Sequence, residues 1–300
     1  MSADGKAASE LHSSAMTFSP AADSPMTTSA SPPEPQVVLI TGASAGIGRA
    51  TAIHLAEAGY QVFGTSRHPS EGPPGVEMLQ LEVTSDASVA ECVANLYERT
   101  AGRVDVLINN VGTGILGAAE ESSIEQVKTL FDINFFGAVR MTNAVLPQMR
   151  TSRSGRILFL SSAGGVISVP YAGYYCATKH ALEAYVESLR LEIEAFGIQA
   201  ALIAPGTVST AAGDKAMQPD HPIADYAPQR QKSAEQFVQA IRDGMPPEHV
   251  AAAILQALRA ERMQPRYAIG LQSWGISLLK SLLPQQLLET GIRGSTASSE

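Results

Sequence analysis

A run of β-branched and apolar residues, Val37-Val38-Leu39-Ile40-Thr41, passes directly into Gly42-Ala43-Ser44-Ala45-Gly46-Ile47-Gly48 and then into a segment of helical period near 47–58. Glycines carry no Cβ, so the chain turns sharply here and lets a bound group come close to the backbone. The free amides and positive dipole end at the helix start favour negative charge. Strand, glycine turn and helix in that order are what a dinucleotide pyrophosphate requires, and they commit the chain to an α/β architecture with its first strand inside a parallel sheet.

The remainder keeps the same rhythm. Short β-rich runs at 37–41, 61–66, 78–82, 104–109, 156–161, 199–204 and 266–269 alternate with helix-period segments near 47–58, 87–100, 124–149, 171–196 and 247–262. This pattern predicts a Rossmann-type, doubly wound sheet of seven parallel strands with helices on both faces, in a single domain covering 36–292. Ser85 is positioned to cap the second helix, whose apolar face is Val89, Cys92, Val93 and Leu96. Residues 1–35, rich in Ser, Ala and Pro, are expected to be a disordered tail, and 293–300 a short flexible end. Residues 207–246 are polar and broken by Pro and Gly. Following the sixth strand's carboxyl end, they are expected to form a substrate lid, or else an ordinary surface excursion. The apolar stretch within 270–292, with Trp274, Ile276, Leu278, Leu279, Leu282 and Leu283, would cover a pocket, the body, a second subunit or a membrane surface.

Composition removes several functions. A net charge of −8 and a pI near 5.3, without any Lys/Arg cluster, give no footprint for nucleic acid. No run of 18 or more apolar residues spells a membrane span. The two cysteines, Cys92 and Cys176, stand at no metal-ligand spacing and fit packed thiols in a reducing cytoplasm.

The second strand should end beside the adenosine ribose. A carboxylate there would bind both ribose hydroxyls and repel a 2′-phosphate, but this chain offers Ser66 and Arg67. NADP(H) is therefore expected over NAD(H), the plain alternative being a solvated surface arginine.

Tyr175 and Lys179 lie four apart in a predicted helix and so share one face. A free phenol titrates near 10, too high for proton exchange near neutrality, and a neighbouring ammonium would lower it. Such a pair can serve general acid–base chemistry. Ser162 ends the fifth strand ahead of Ala163-Gly164-Gly165, as a site hydroxyl or a loop cap. Asn134 sits among apolar neighbours in a predicted helix, as a site residue or a satisfied core amide.

Taken together, these motifs resemble the short-chain dehydrogenase/reductase family from about Val37 through the last strand. The matching segments are Thr41-Gly42-x-x-x-Gly46-x-Gly48, Asn109-Asn110-Val111-Gly112, Ser162, Tyr175-x-x-x-Lys179 and Pro205-Gly206. The resemblance implies a hydride exchange between nicotinamide and a carbonyl or alcohol. Ser162 would hold the substrate oxygen and Tyr175 would exchange its proton. Lys179 would bind the ribose and lower the phenol, and Asn134 would hold a water linking Lys179 to solvent. Ser44, Ile47, Gly112 and Val208 join the cofactor contacts by the same resemblance. Two positions depart from the family pattern: Glu82 replaces the usual Asp beside adenine, leaving the Val83 backbone as another candidate for that contact, and Val111 replaces Ala. Residues 171–205 resemble members that act on steroids and retinol. The family also implies a homodimer or homotetramer. The competing reading is a non-catalytic NADP(H)-binding regulator or sensor, which has no physical need for Asn134, Ser162, Tyr175 and Lys179 together.

Overall fold

The computed structural model of the chain describes residues 35–211 and 216–270, together with 273, 275, 280, 284, 286, 287, 289 and 290. The expected tails at 1–35 and 293–300 lie outside the described residues, apart from Pro35. Most of 270–292 does as well, including all six large apolar residues expected to cover a surface.

Seven strands are present: β1 (Val37–Ile40), β2 (Gln61–Ser66), β3 (Val76–Gln80), β4 (Val106–Asn109), β5 (Gly155–Leu160), β6 (Ile198–Pro205) and β7 (Arg266–Ile269). Every pairing is parallel, in the order β3-β2-β1-β4-β5-β6-β7. The order reverses between β1 and β4, which opens a crevice at their carboxyl ends. The helices are α1 (Gly46–Glu57), α2 (Asp86–Arg99), α3 (Ile124–Phe131), α4 (Gly137–Ser152), α5 (Gly173–Ile193), α6 (Ala227–Arg242) and α7 (Pro247–Arg259).

Strand period builds two cores. Side chains alternate across a strand, so in β1 Val37 and Leu39 face one layer while Val38 and Ile40 face the other. The first layer is closed by Val89, Cys92, Val93 and Leu96 of α2, Met141, Val145 and Met149 of α4, and Leu182, Val186 and Leu189 of α5. The second is closed by Ala52 and Leu55 of α1 and by Val250, Ile254 and Leu258 of α7. Both faces are covered, which is why the central strands are apolar throughout. Ser85 caps α2 as expected, its side chain accepting from the Ser88 amide at 3.2 Å.

Three expectations need correction. The predicted third strand begins two residues early, at Val76, and ends at Gln80, which leaves Glu82 in the following loop. The predicted helix over 124–149 is interrupted at Asp132–Phe136 by one wider π-helical turn and then runs on to Ser152. The helix expected from 171 starts at Gly173, because Tyr171 has φ of 63°, a left-handed conformation that ends a turn. The polar stretch 207–246 also holds a helix, α6, of 16 residues. Ile241 is its single buried residue, so its burial pattern carries little apolar signal. No helix among the described residues is long and apolar enough to cross a membrane.

Candidate active site

The carboxyl end of β1 is pinned to that of β4. Thr41 Oγ1 accepts from the Asn110 and Val111 amides at 2.9 and 3.1 Å, and Asn110 Nδ2 donates to the Thr41 and Gly42 carbonyls at 2.8 and 3.1 Å. Gly42 takes φ of +71° and Gly46 of +55°. At Gly48 a Cβ would stand 2.3 Å from the Gly42 carbonyl oxygen and 2.5 Å from Asn110 Nδ2, so no side chain fits. Val111, the bulky departure, lies over Gly42, where an added Cβ would meet its Cγ2 at 2.9 Å. Ala45, at the head of α1, has no side chain that caps the helix. A glycine-lined turn leading to an uncapped helix start fits a bound pyrophosphate. Ser44 is exposed on this turn and Ile47 packs its side chain into the second core layer.

Along the same edge, Ser66 closes β2, and Arg67 is exposed with no protein partner for its guanidinium among the described residues. Glu82 is drawn into its own loop, accepting from the Thr84 amide at 3.2 Å and the Thr84 hydroxyl at 2.9 Å. Val83 is buried, and its carbonyl accepts from Arg140 at 3.3 Å. Pro205 closes β6, the Gly206 amide donates to Ile269 at 3.0 Å, and Val208 bridges to Met245.

The predicted chemical residues converge above β4 and β5. Tyr175, in the first turn of α5, lies beside Ser162: a Cβ added at Gly164 would stand 3.2 Å from Tyr175 Cε1 and 3.6 Å from Ser162 Oγ. Ser162 accepts from the Gly164 amide at 3.1 Å, so it caps this loop as well as flanking the phenol. Lys179 is buried, donates to the Leu160 carbonyl at 2.7 Å, and has its Nζ 5.9 Å from the centre of the Tyr175 ring. Asn134, on the π-helical turn, is a fully satisfied buried amide. Its Oδ1 accepts from the Thr113 amide at 2.8 Å, and its Nδ2 donates to the Thr113 carbonyl at 2.8 Å and to Thr178 Oγ1 at 3.0 Å. Such widened turns recur at functional sites because they re-aim a side chain. Thr113 and Thr178 were not singled out from sequence, although Thr178 directly precedes Lys179.

The electrostatics differ from the sequence expectation. Burial pushes the Tyr175 phenol up, the Ser162 hydrogen bond pulls it down, and the Cys176 thiol adds a smaller upward push. Lowering of the phenol by Lys179 is not what this arrangement shows, because the ammonium is directed to Leu160. Desolvation lowers Lys179 itself to about 8, opposed by the carboxylate of Glu183. Cys92 and Cys176 are buried free thiols, as expected, and burial raises both.

An apolar wall stands over the phenol. Leu116, Ala172 and Cys176 form a cluster against which Tyr175, Ala216, Ala234 and Phe237 pack. The last two belong to α6, held down by the buried Glu121, which pairs with Arg230 and accepts from the Ile223 amide at 2.8 Å.

A doubly wound sheet with a glycine turn at its switch point, and with serine, tyrosine and lysine gathered at the same edge, defines a nucleotide-cofactor oxidoreductase. The chain belongs to the short-chain dehydrogenase/reductase family, whose short chain dehydrogenase profile matches residues 36–220. It is 39% identical over 268 residues to the 3-ketodihydrosphingosine reductase of Bacteroides thetaiotaomicron, covering 87% of this chain and 97% of that one. It is 36% identical to the 17-beta-hydroxysteroid dehydrogenase type 1 of Mus musculus, over 78% of this chain and 73% of that protein. The crystal structure of a short-chain dehydrogenase from Streptomyces avermitilis superposes with a TM-score of 0.76 at 33% identity, covering 89% of this chain and all of the other.

The buried lysine makes stability depend on pH. The unfolded chain keeps the Lys179 proton up to the ordinary value of 10.5, whereas the folded chain releases it near 8. The cost of burying the charge is therefore complete below 8, shrinks as pH rises toward 10.5, and is gone above it. Replacing Lys179 by Met is expected to stabilise the fold at neutral pH by on the order of 1 kcal/mol after loss of the Leu160 hydrogen bond. Melting curves should show that gain fading as pH rises from 8 toward 10.5. A gain that stays constant across this interval would contradict the assignment.

Proposed function

We propose that this chain is an NADP(H)-dependent oxidoreductase that transfers a hydride between nicotinamide and a lipophilic ketone or alcohol, with Tyr175 exchanging the proton. The observation that carries this reading is the juxtaposition of Tyr175, Ser162 and a buried Lys179 at the sheet edge that holds the glycine turn.

Thr41, Gly42, Ser44, Gly46, Ile47 and Gly48 would hold the pyrophosphate, with Asn110, Gly112, Pro205, Gly206 and Val208 along the rest of the crevice. Ser66 and Arg67 would take the 2′-phosphate, for which an exposed guanidinium with no protein partner among the described residues is suited. The adenine contact falls less to Glu82, whose carboxylate is engaged with Thr84, than to the loop backbone around Val83. The bound cofactor supplies or takes the hydride. Tyr175 gives its proton to the substrate oxygen as negative charge develops there, and Ser162 donates a second hydrogen bond to the same atom. Lys179 holds the nicotinamide ribose, its ammonium anchored on the Leu160 carbonyl. Asn134 positions Thr113 and Thr178 around the lysine. A Cβ on Gly112 would stand 3.4 Å from Asn134 Oδ1 and 3.5 Å from Lys179 Nζ, and a water linking the lysine to solvent would sit in that space.

The lipophilic substrate is supported by the apolar wall of Leu116, Ala172, Cys176, Ala234 and Phe237, and by the sphingoid-base and steroid enzymes among the relatives. Residues 207–246 act as the substrate lid in this reading, with α6 as its rigid part. Ile124, Phe136 and Leu191, exposed along α3, the π-helical turn and α5, support pairing into a homodimer or homotetramer. Two buried free thiols are consistent with a cytoplasmic setting.

Two measurements test the reading. Tyr175→Phe should retain NADPH binding while losing turnover by at least about a hundredfold on a panel running from small diketones through steroids and retinoids to a 3-ketosphingoid base. Undiminished turnover would remove Tyr175 from the chemistry. Arg67→Ala should weaken NADPH by about tenfold or more, the loss of a charge-assisted phosphate contact, and leave NADH nearly unchanged. Equal losses for the two cofactors would refute recognition of the 2′-phosphate.

A further inference from the structure

Three consecutive residues at the end of β5 are each tied to one face of α5. The Leu160 carbonyl accepts from Lys179, the Ser161 hydroxyl donates to Glu183 Oε1 at 2.5 Å, and Ser162 stands beside Tyr175 over Gly164. Their α5 partners are spaced by four, as residues 175, 179 and 183, which is the spacing that stacks side chains along a helix. Glu183 is buried, and its far oxygen accepts from Arg266 Nε of β7 at 3.1 Å. The contact is close: a Cβ on Gly165 would stand 2.6 Å from Ser161 Oγ and 2.9 Å from Glu183.

We propose that Glu183 is a positioning residue of the reaction: gripped by Ser161 and Arg266, its carboxylate fixes the β5 end that carries Ser162 and sets negative charge one helical turn from the Lys179 ammonium. This rests on the assignment of Tyr175, Ser162 and Lys179 to the chemistry. A buried carboxylate with an arginine partner is costly to assemble and strongly disruptive when half of it is removed, so its retention in the core calls for a role. Here the role is electrostatic as well as mechanical, because Glu183 is the group that opposes the desolvation of Lys179. The other charges on the surrounding elements are directed elsewhere. Asp132 pairs with Arg140 and Glu125 with Lys128, while on α5 itself the titratable neighbours are Tyr175, the Cys176 thiol, His180, whose Nδ1 is hydrogen-bonded with the Cys176 carbonyl, and Glu187 one turn beyond Glu183.

The test follows Lys179 directly, by NMR titration of protein carrying ¹³Cε-lysine, with the signal assigned by its loss in Lys179→Arg, alongside turnover as a function of pH. In Glu183→Gln the Lys179 midpoint should fall by about one pH unit, equivalent to tenfold in the charged fraction, and the pH–rate profile should move to lower pH with it. A folded Glu183→Gln protein with an unmoved midpoint overturns the proposal. Should that variant fail to fold, Arg266→Gln decides: freeing the carboxylate from its partner should raise the midpoint, and an unmoved midpoint again overturns it. Ser161→Ala should lower kcat several-fold without shifting the midpoint, and an unchanged kcat contradicts the mechanical half. If no substrate turns over in the wild-type protein, the functional reading fails while the titration still reports on Glu183.

Discussion

At Gly48 the first turn of α1 presses so closely on the Gly42 carbonyl and the Asn110 amide that no side chain can be accommodated. The rest of the site is arranged around that contact. It draws the start of α1 down onto the end of β1, and Asn110, reaching from β4 to both Thr41 and Gly42, locks the two strands flanking the switch point. A crevice held this way presents backbone amides and a helix dipole, an arrangement suited to a diphosphate.

The opposite wall of the crevice is held by polar contacts buried inside an apolar core. Lys179, Asn134, Ser161 and Glu183 are buried, and each is hydrogen-bonded. Such networks are destabilising when incomplete and confer rigidity when every member is satisfied. Asn134 shows the principle: a single amide fills three hydrogen bonds and joins the loop after β4 to α5. The π-helical turn beneath it places that side chain where a regular helix would have aimed it elsewhere.

Much of this was legible in the sequence because it is local. Strand, glycine turn and helix lie within a dozen residues. The Tyr175–Lys179 spacing is a helical period, and alternating apolar runs announce a sheet covered on both faces. What sequence did not reveal depends on distant partners. The helix α6 was missed because Ala, Gln, Lys and Glu at 227–242 mark a good helix former with only Ile241 buried, so no apolar stripe betrays it. The widened turn at 132–136 leaves the hydrophobic period almost unbroken. Tyr175 was expected to be lowered by Lys179, yet burial raises it, and burial is a tertiary property that no spacing encodes. Glu183 could have been noticed as the next residue at the four-residue spacing after Lys179, but Ser161 and Arg266, which give it meaning, come from just beyond β5 and from the start of β7.

The most direct measurement is a fluorescence titration of NADPH against the wild-type protein and Gly48→Ala, with a thermal melt of each. The predicted result is a cooperative melt for both and an affinity weakened at least about tenfold in the variant, because the new methyl group must push the start of α1 off the Gly42 carbonyl. A folded Gly48→Ala protein that binds NADPH as tightly as the wild type would contradict the claim that this backbone contact forms the cofactor site.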